Sequence, residues 1–312
     1  MVPIQLLDGQ QYVWILHLFS GRRRIGDCHW WLEHIGHKLW PGVKLRMISL
    51  DTAVDPVLGN LDEGSNYNVV LSLARKGLIA GVLTGPPCET WSAARNLELS
   101  EAQGPRPLRS AEQPWILPHR TGKELRQTAT GTTLLFNSWR IEVTVTLEGG
   151  GALMEHPWEN GDSDRASVWR TVAHQEWIMN LPEAHRHYIE QFLFGAQGSK
   201  PTCLRALNLC SPEIVEQALV DGMELWRTRP TTKLMGRTSN GAFRTAAAKE
   251  YTSALCRTML VALVRGLSHR ASSKGVRRPE ILTVTESQWL TDAQSVSKSI
   301  SRESFLPDYQ GR

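Results

Sequence analysis

The sharpest chemical feature of the chain is a cysteine behind two prolines, in Gly85-Pro86-Pro87-Cys88-Glu89-Thr90-Trp91-Ser92. Each proline fixes φ and removes a backbone donor, so the segment is a stiff, extended turn that presents the thiol at a defined point. A thiol attacks as thiolate, and an unperturbed cysteine ionises near pH ~8.5. A nucleophilic Cys88 therefore needs a cationic or hydrogen-bonding surrounding; without one, the same turn holds an ordinary buried cysteine. Three other segments bear groups that such a nucleophile works with. Phe19-Ser20-Gly21 ends an apolar run in small residues that let a ligand approach the backbone. Asp51 closes Ile48-Ser49-Leu50-Asp51, where an acid either accepts hydrogen bonds from a ribose or caps a turn. Glu155, in Glu155-His156-Pro157, is a carboxyl group able to protonate or hydrogen-bond a heterocycle, or a plain acid at a strand end. Cys88 with His156 would suit a thiol hydrolase, a reading that the nucleotide-style strand ends argue against.

These groups are spaced like the ends of successive strands. Tyr12–Phe19, Val43–Leu50 and Leu78–Thr84 have the apolar, strand-forming composition of buried strands, and Ile25–Leu39 and Ser65–Lys76 have helical spacing, with Ser65 as N-cap. A βαβαβ series predicts a parallel sheet with helices on its faces and ligands at the carboxyl ends of the strands. Asn96–Arg120 is polar and Pro-rich and predicts a long surface loop. Beyond it the pattern predicts a helix over Lys123–Arg140, a strand over Gly150–Glu155 and a helix over Ala166–Asn180. An antiparallel pair is predicted from Ile189–Phe194 and Thr202–Asn208, and helices over Glu213–Asp221 and Ala246–Leu267. Ser268–Arg312 reads as a mostly flexible tail in which Ile281–Leu290 docks.

Composition narrows the class. A chain of 312 residues with 41% hydrophobic residues has material for a large core, which excludes a disordered tail protein. The balance of 35 Lys and Arg against 31 Asp and Glu is compatible with a nucleic-acid partner without demanding one. No apolar run reaches the ~18 residues of a membrane span, and Met1–Gln11 lacks a signal-peptide pattern, so a soluble, intracellular protein is expected. The five cysteines form no CxxC pair, and His185-Arg186-His187 lacks ligands at zinc spacing, so neither a disulfide framework nor a metal site is predicted.

Taken in order, His17-Leu18-Phe19-Ser20-Gly21, Leu50-Asp51, Pro87-Cys88-Glu89-Thr90-Trp91-Ser92 and Glu155-His156-Pro157 resemble the catalytic domain of DNA cytosine-5 methyltransferases, whose corresponding motifs usually read DLFxGxGG, PCQxFS and ENV. Gly195–Leu204 takes the place of the family's motif of Gln and Arg residues, and Ala246–Leu260 that of the final motif. The resemblance runs from about Tyr12 to Leu267 and is similar in layout to shortened, mobile-element-like members. It implies a class I S-adenosylmethionine-dependent methyltransferase fold, Rossmann-like, with a mixed, mainly parallel sheet and helices on both faces. The catalytic domain would cover residues 1–267, with a reduced target-recognition region at about 209–240 and the tail at 268–312.

The resemblance implies Cys88 as the nucleophile that adds to cytosine C6 and Glu155 as the acid that engages the pyrimidine. S-adenosylmethionine is the implied cofactor, with Phe19 near the adenine, Gly21 at the methionine part and Asp51 on the ribose. Asn60 stands where an acid usually meets the adenine amino group, and Ser20 and Pro86 line the same side. The implied partner is DNA, as a duplex with a flipped base or as a single strand, which would place a eukaryotic member in the nucleus. Trp91, Ser92, Arg95, Arg106, Arg109 and Lys200 are the implied nucleic-acid contacts, the arginines on phosphates and the indole on a base, if the loop is more than a solvated basic segment. His17 replaces the usual Asp, and Arg22-Arg23-Arg24 replaces the second glycine region. These departures, with the short recognition region, define an alternative: a catalytically inactive, methyltransferase-derived nucleic-acid-binding domain of a mobile element.

Overall fold

The computed structural model describes residues 5–7, 10–62, 64–92, 95, 105–158, 161, 163–181, 183–224, 230, 234 and 250–273. Their strands are β1 (Gln5–Leu7), β2 (Gln10–Leu18), β3 (Val43–Leu50), β4 (Gly81–Thr84), β5 (Gly151–Pro157), β6 (His185–Glu190) and β7 (Pro201–Leu207). Their helices are α1 (Cys28–Leu39), α2 (Ser65–Arg75), α3 (Gly122–Leu147), α4 (Pro212–Gly222) and α5 (Ser253–Ser272). The sheet runs β3-β2-β4-β5-β7-β6; β2, β3, β4 and β5 pair in parallel, and β7 pairs antiparallel with both β5 and β6. β1 forms an antiparallel hairpin with the first residues of β2. The fold is thus mixed α/β with a mostly parallel sheet.

Side-chain alternation along the strands divides the core into two layers. Val13 and Ile15 of β2, Leu83 of β4 and Leu153 of β5 pack with α1, α4 and α5. Leu16, Leu18, Val82, Ala152 and Met154 pack with α2 and α3 on the opposite face. This period-two separation is what a strand buried on both sides requires. The chain leaves β2 outward to β3, then crosses back to β4 on the other side of β2. Strand order therefore reverses between β2 and β4, which opens a crevice at their carboxyl ends where ligands bind in such sheets.

The local differences from sequence have physical causes. Gly64, not Ser65, is the cap residue of α2. α1 starts at Cys28 because the Asp27 carboxylate accepts from the Trp30 and Arg24 amides. α3 continues through Ile141–Leu147, where residues 141–146 are all buried and tertiary packing overrides their strand-forming composition, and it begins in a capping box of Thr121 and Glu124. The helix expected over Ala166–Asn180 is two short helical pieces, Val168–Arg170 and Ala173–Ile178, divided where Thr171 is extended. The antiparallel hairpin starts earlier than expected, since Gln191–Phe194 turns helical rather than extending β6. α5 begins only after its N-cap, Thr252, and runs through Ser272, so the first residues assigned to the tail are helical, held by Arg270, which is buried and paired with Glu183 at 3.2 Å. Residues 96–104, most of 225–249 and 274–312, including the Ile281–Leu290 segment, lie outside the described residues. Among the described residues no helix is long and apolar enough to cross a membrane.

Candidate active site

Glu155 lies near the carboxyl end of β5, on the α5 side of the sheet, where its neighbour β7 and the turn after β6 deliver polar side chains to it. One carboxylate oxygen, Oε1, accepts from the Gln191 amide at 3.0 Å and lies 3.4 Å from the Lys200 ammonium. The Thr202 hydroxyl is 3.4 Å from the same oxygen and accepts the second Gln191 N–H at 3.0 Å. The other oxygen, Oε2, accepts from the Tyr251 hydroxyl at 2.7 Å. Glu155 is 3% exposed, and a carboxylate this buried is tolerated only because donors and a cation surround it. Gly195, with φ +94°, closes the turn that brings Gln191 and Lys200 together.

Cys88 is half-buried at the end of the turn after β4, within electrostatic reach of Lys200 and Glu155. Burial pushes its thiol up to about 11; Lys200 opposes this, while Glu155 and Glu89 add to it. The thiol is therefore protonated near neutral pH. Burial draws the Lys200 ammonium down, yet Glu155 and Cys88 beside it leave it above its ordinary value. Tyr251 also carries Lys200 5.6 Å from its ring centroid, and its phenol is raised by burial and by Glu155, so it stays a donor. The structure thus brings Cys88, Glu155 and Lys200 together. Lys200, expected on nucleic acid, is paired with Glu155 within this cluster.

The ends of β2 and β3 adjoin it across the crevice. Phe19 takes a left-handed conformation, φ +59°, and Gly21 follows at φ +69° with open space where a side chain would stand. The Gly21 amide donates to one Asp51 oxygen at 2.9 Å, and the Ala53 amide to the other at 2.7 Å, so Asp51 ties the two strand ends while keeping lone pairs available. Ser20 turns its hydroxyl to the Gly21 carbonyl. Pro86 is buried in the β4 turn. Asn60 is exposed, and its side-chain oxygen accepts the Asp62 amide at 3.0 Å. His17, beneath this edge, is lowered by burial to about 4 and is neutral. Of the arginine run, Arg22 and Arg23 are exposed, Arg23 pairing with Asp27 at 2.8 Å, whereas Arg24 reaches inward to the Tyr251 carbonyl and lies 3.7 Å from Glu250.

The residues expected on the nucleic-acid side face mostly inward. Arg109 is 3% exposed and gives all its donors to protein: Thr90, the Pro114, Trp115 and Thr128 carbonyls, and Thr132. Arg95 is buried and donates to the Glu89 and Arg106 carbonyls and to Gln127. Trp91 is buried beneath Arg109, whose guanidinium sits 4.1 Å from the ring, with Trp115 and His156 edge-on. Ser92 is half-buried, its carbonyl accepting the Arg95 amide. Arg106 is exposed but forks onto Glu124 at 2.8 and 2.6 Å. Trp91, Arg95 and Arg109, expected against a nucleic-acid strand, are buried and engaged with protein groups here. Burying a guanidinium is costly, and here fixed carbonyls and hydroxyls compensate it, so these side chains pin the Cys88 turn to α3.

Sequence reasoning missed Tyr251, Gln191 and Thr202, which have no spacing signal and meet Glu155 only through the hairpin and the start of α5. It also missed Gly26, at φ +80°, where a Cβ would lie 2.3 Å from the Ser253 hydroxyl; a positive-φ glycine one residue before the Asp27 cap is a legible sign of close helix packing. Among the described residues no group of three His, Cys, Asp or Glu could hold a metal ion.

No protein-family model matches the chain, and no curated protein does. Among solved structures there is a likeness to a protein encoded within an E. coli prophage and described as a DNA modification methyltransferase, with 10% identity and a TM-score of 0.29. The match covers 62% of this chain and 46% of that one, so the chain spans less than half of that protein's length. A likeness this loose establishes neither fold nor activity.

Proposed function

We propose that the protein is a DNA cytosine-5 methyltransferase, in which Cys88 attacks the pyrimidine and Glu155 engages its edge. The observation that supports this reading is the convergence of Cys88, Glu155 and Lys200 beside the crevice between β2 and β4. A class I S-adenosylmethionine-dependent arrangement fits the residues next to them: the Gly21 backbone is open to close approach, and Asp51 retains acceptor capacity for ribose hydroxyls. When bound there, S-adenosylmethionine supplies the methyl group.

The chain's own residues set the remaining chemistry. Cytosine C5 is a poor nucleophile until a sulfur adds at C6. The Cys88 thiol gives its proton to the Glu155 carboxylate, Sγ bonds to C6, and the C5–C6 π pair moves into the ring toward N3. Lys200 is the cation that favours the thiolate, and the rigid Pro86-Pro87 turn fixes the line of attack. Glu155, now a carboxylic acid held in place by Gln191, Thr202 and Lys200, passes that proton on to N3, which neutralises the ring and leaves an enamine whose C5 can take the methyl group. The base reaches this cleft only when extruded from a duplex or already single-stranded.

Incubation with a 5-fluorocytosine oligonucleotide and cofactor tests the reading. A covalent adduct is expected with the native protein and is absent with Cys88→Ser; an adduct that persists in that variant, or none with the native chain, overturns it. The raised Cys88 thiol and the fully engaged Glu155 favour a second reading, an inactive nucleic-acid-binding domain of a mobile element. DNA retention with no adduct and no cofactor binding by calorimetry would support that one.

A further inference from the structure

Tyr251 is the polar neighbour of Glu155 that the proposed reaction leaves without a task. Its hydroxyl is the donor to Oε2, whereas Gln191, Thr202 and Lys200 all gather on Oε1. That division matters, because a pyrimidine presenting a donor to Glu155 needs an oxygen with a free lobe facing the cleft. The hydroxyl also sits directly on Gly85: a Cβ added there would lie 2.0 Å from the phenolic oxygen. The side chain therefore lies between the acid at the end of β5 and the turn that carries Cys88. Its backbone is fastened on both sides, by Arg24 on its own carbonyl and by Thr252, whose hydroxyl caps α5.

A phenol is a planar six-membered ring with one hydrogen-bond donor on its edge. Here that donor meets a buried carboxylate while a cation lies 5.6 Å from the ring centroid. An aminopyrimidine would offer the same site a ring of the same size and an N–H in the place of the O–H. We propose that Tyr251 is an intramolecular surrogate for the target base: it fills the heterocycle subsite in the unliganded protein and has to leave Glu155 before a base can enter. The proposal rests on the methyltransferase reading for the identity of the base, but the occupancy of the subsite by Tyr251 is testable without DNA. Arg24 and Gly85 belong to the same device, the first by anchoring the tyrosine from the β2 side and the second by leaving room for its hydroxyl.

The test uses the full chain as native protein, Tyr251→Phe and Tyr251→Ala, with thermal unfolding as a check on folding. The first readout is the rate at which iodoacetamide alkylates Cys88, followed by mass spectrometry of the Cys88 peptide. Removing the hydroxyl deletes one charge-assisted hydrogen bond, so Tyr251→Phe should alkylate about tenfold faster than native, and Tyr251→Ala faster still. Equal rates in native protein and the folded Phe variant overturn the proposal, and the Phe variant keeps the test alive if the Ala variant does not fold. The second readout is adduct formation with the 5-fluorocytosine oligonucleotide, which should also accelerate in Tyr251→Phe. Faster alkylation with no adduct in any variant upholds the occupied subsite and removes the methyltransferase reading. Adduct formation in the native protein with unchanged rates in both variants upholds that reading and removes the surrogate.

Discussion

Arg109 separates two uses of a loop cation, contact with phosphate and internal fastening of the Cys88 turn. Its five hydrogen bonds span 2.8 to 3.1 Å and end on Thr90, three carbonyls and Thr132. Arg109→Met removes all of them and leaves the Pro114 and Trp115 carbonyls short of a donor in a site that is 3% exposed at the arginine, whereas the Thr128 carbonyl keeps the Thr132 hydroxyl. An unpaired buried acceptor costs about 1–3 kcal/mol, and partial entry of water reduces the sum, so a loss of roughly 3–5 kcal/mol is expected. The cation over Trp91 at 4.1 Å adds about 1 kcal/mol to what is lost. Against a total stability of about 5–15 kcal/mol this is a large fraction, readable as a shift in the urea midpoint at unchanged m-value. Arg109→Lys sharpens the test. It keeps the charge, so a phosphate contact would survive with its salt dependence nearly intact, while three donors on a flexible stem cannot reproduce a five-donor fork. The lysine variant should therefore lose at least about half of the methionine variant's stability loss. A native midpoint in Arg109→Lys, with DNA affinity falling in Arg109→Met and the slope against log salt dropping by about one, would refute the fastening role.

Two more predictions concern buried charge. Burial lowers His17 to about 4 and His156 and His174 to about 3, whereas in the unfolded chain they titrate near their ordinary value of 6.5. The unfolded state then binds more protons as pH falls below 6.5, so stability present at pH 7 is withdrawn by up to about 1.4 kcal/mol per pH unit for each histidine. Urea midpoints measured between pH 7 and 5 should fall, and His156→Gln should flatten part of that slope; a flat native profile would contradict the burial. Arg205 of β7 pairs with Glu142 of α3, both fully buried. Arg205→Met alone strands a carboxylate and should cost about 3–5 kcal/mol, while Arg205→Met with Glu142→Leu should return to within about 1 kcal/mol of native in chemical denaturation.

The sheet was legible because its strands are short apolar runs closed by small or acidic residues, and Val43–Leu50 coincides with β3. The turn carrying Cys88 and the strand carrying Glu155 were legible for the same reason, since proline and strand-end chemistry are local. What was not legible depends on partners far along the chain. Arg95, Arg106 and Arg109 look alike in sequence, yet the first and last are buried and the middle one is exposed, because only the packing of the loop on α3 supplies the acceptors. Ile141–Leu147 has strand composition and forms helix because α3 extends under the sheet. Tyr251 stands 96 residues from the carboxylate it bonds, a separation at which no spacing rule operates.

The electrostatics of the cluster bear directly on how such a site could be kept unreactive. Lys200 and Glu155 lie 3.4 Å apart, so the carboxylate offsets part of the field that Lys200 exerts on Cys88, and burial dominates in raising the thiol. Any group that takes up Glu155 hydrogen bonding in place of Tyr251 while drawing the carboxylate away from Lys200 would uncover that cation to the sulfur. The same ammonium then favours thiolate over thiol, and the shift acts in the direction opposite to burial. A nucleophile stored as thiol and released by the arrival of its own target avoids exposing a reactive thiolate to solvent oxidants in the interval. On this argument the raised Cys88 is compatible with catalysis, provided that Lys200 and Glu155 separate when the subsite is filled. Lys200→Met leaves the Glu155 charge uncompensated beside the sulfur, so it should make the resting thiol alkylate more slowly than native, while the gain from Tyr251→Phe, which comes from freeing the subsite, should persist.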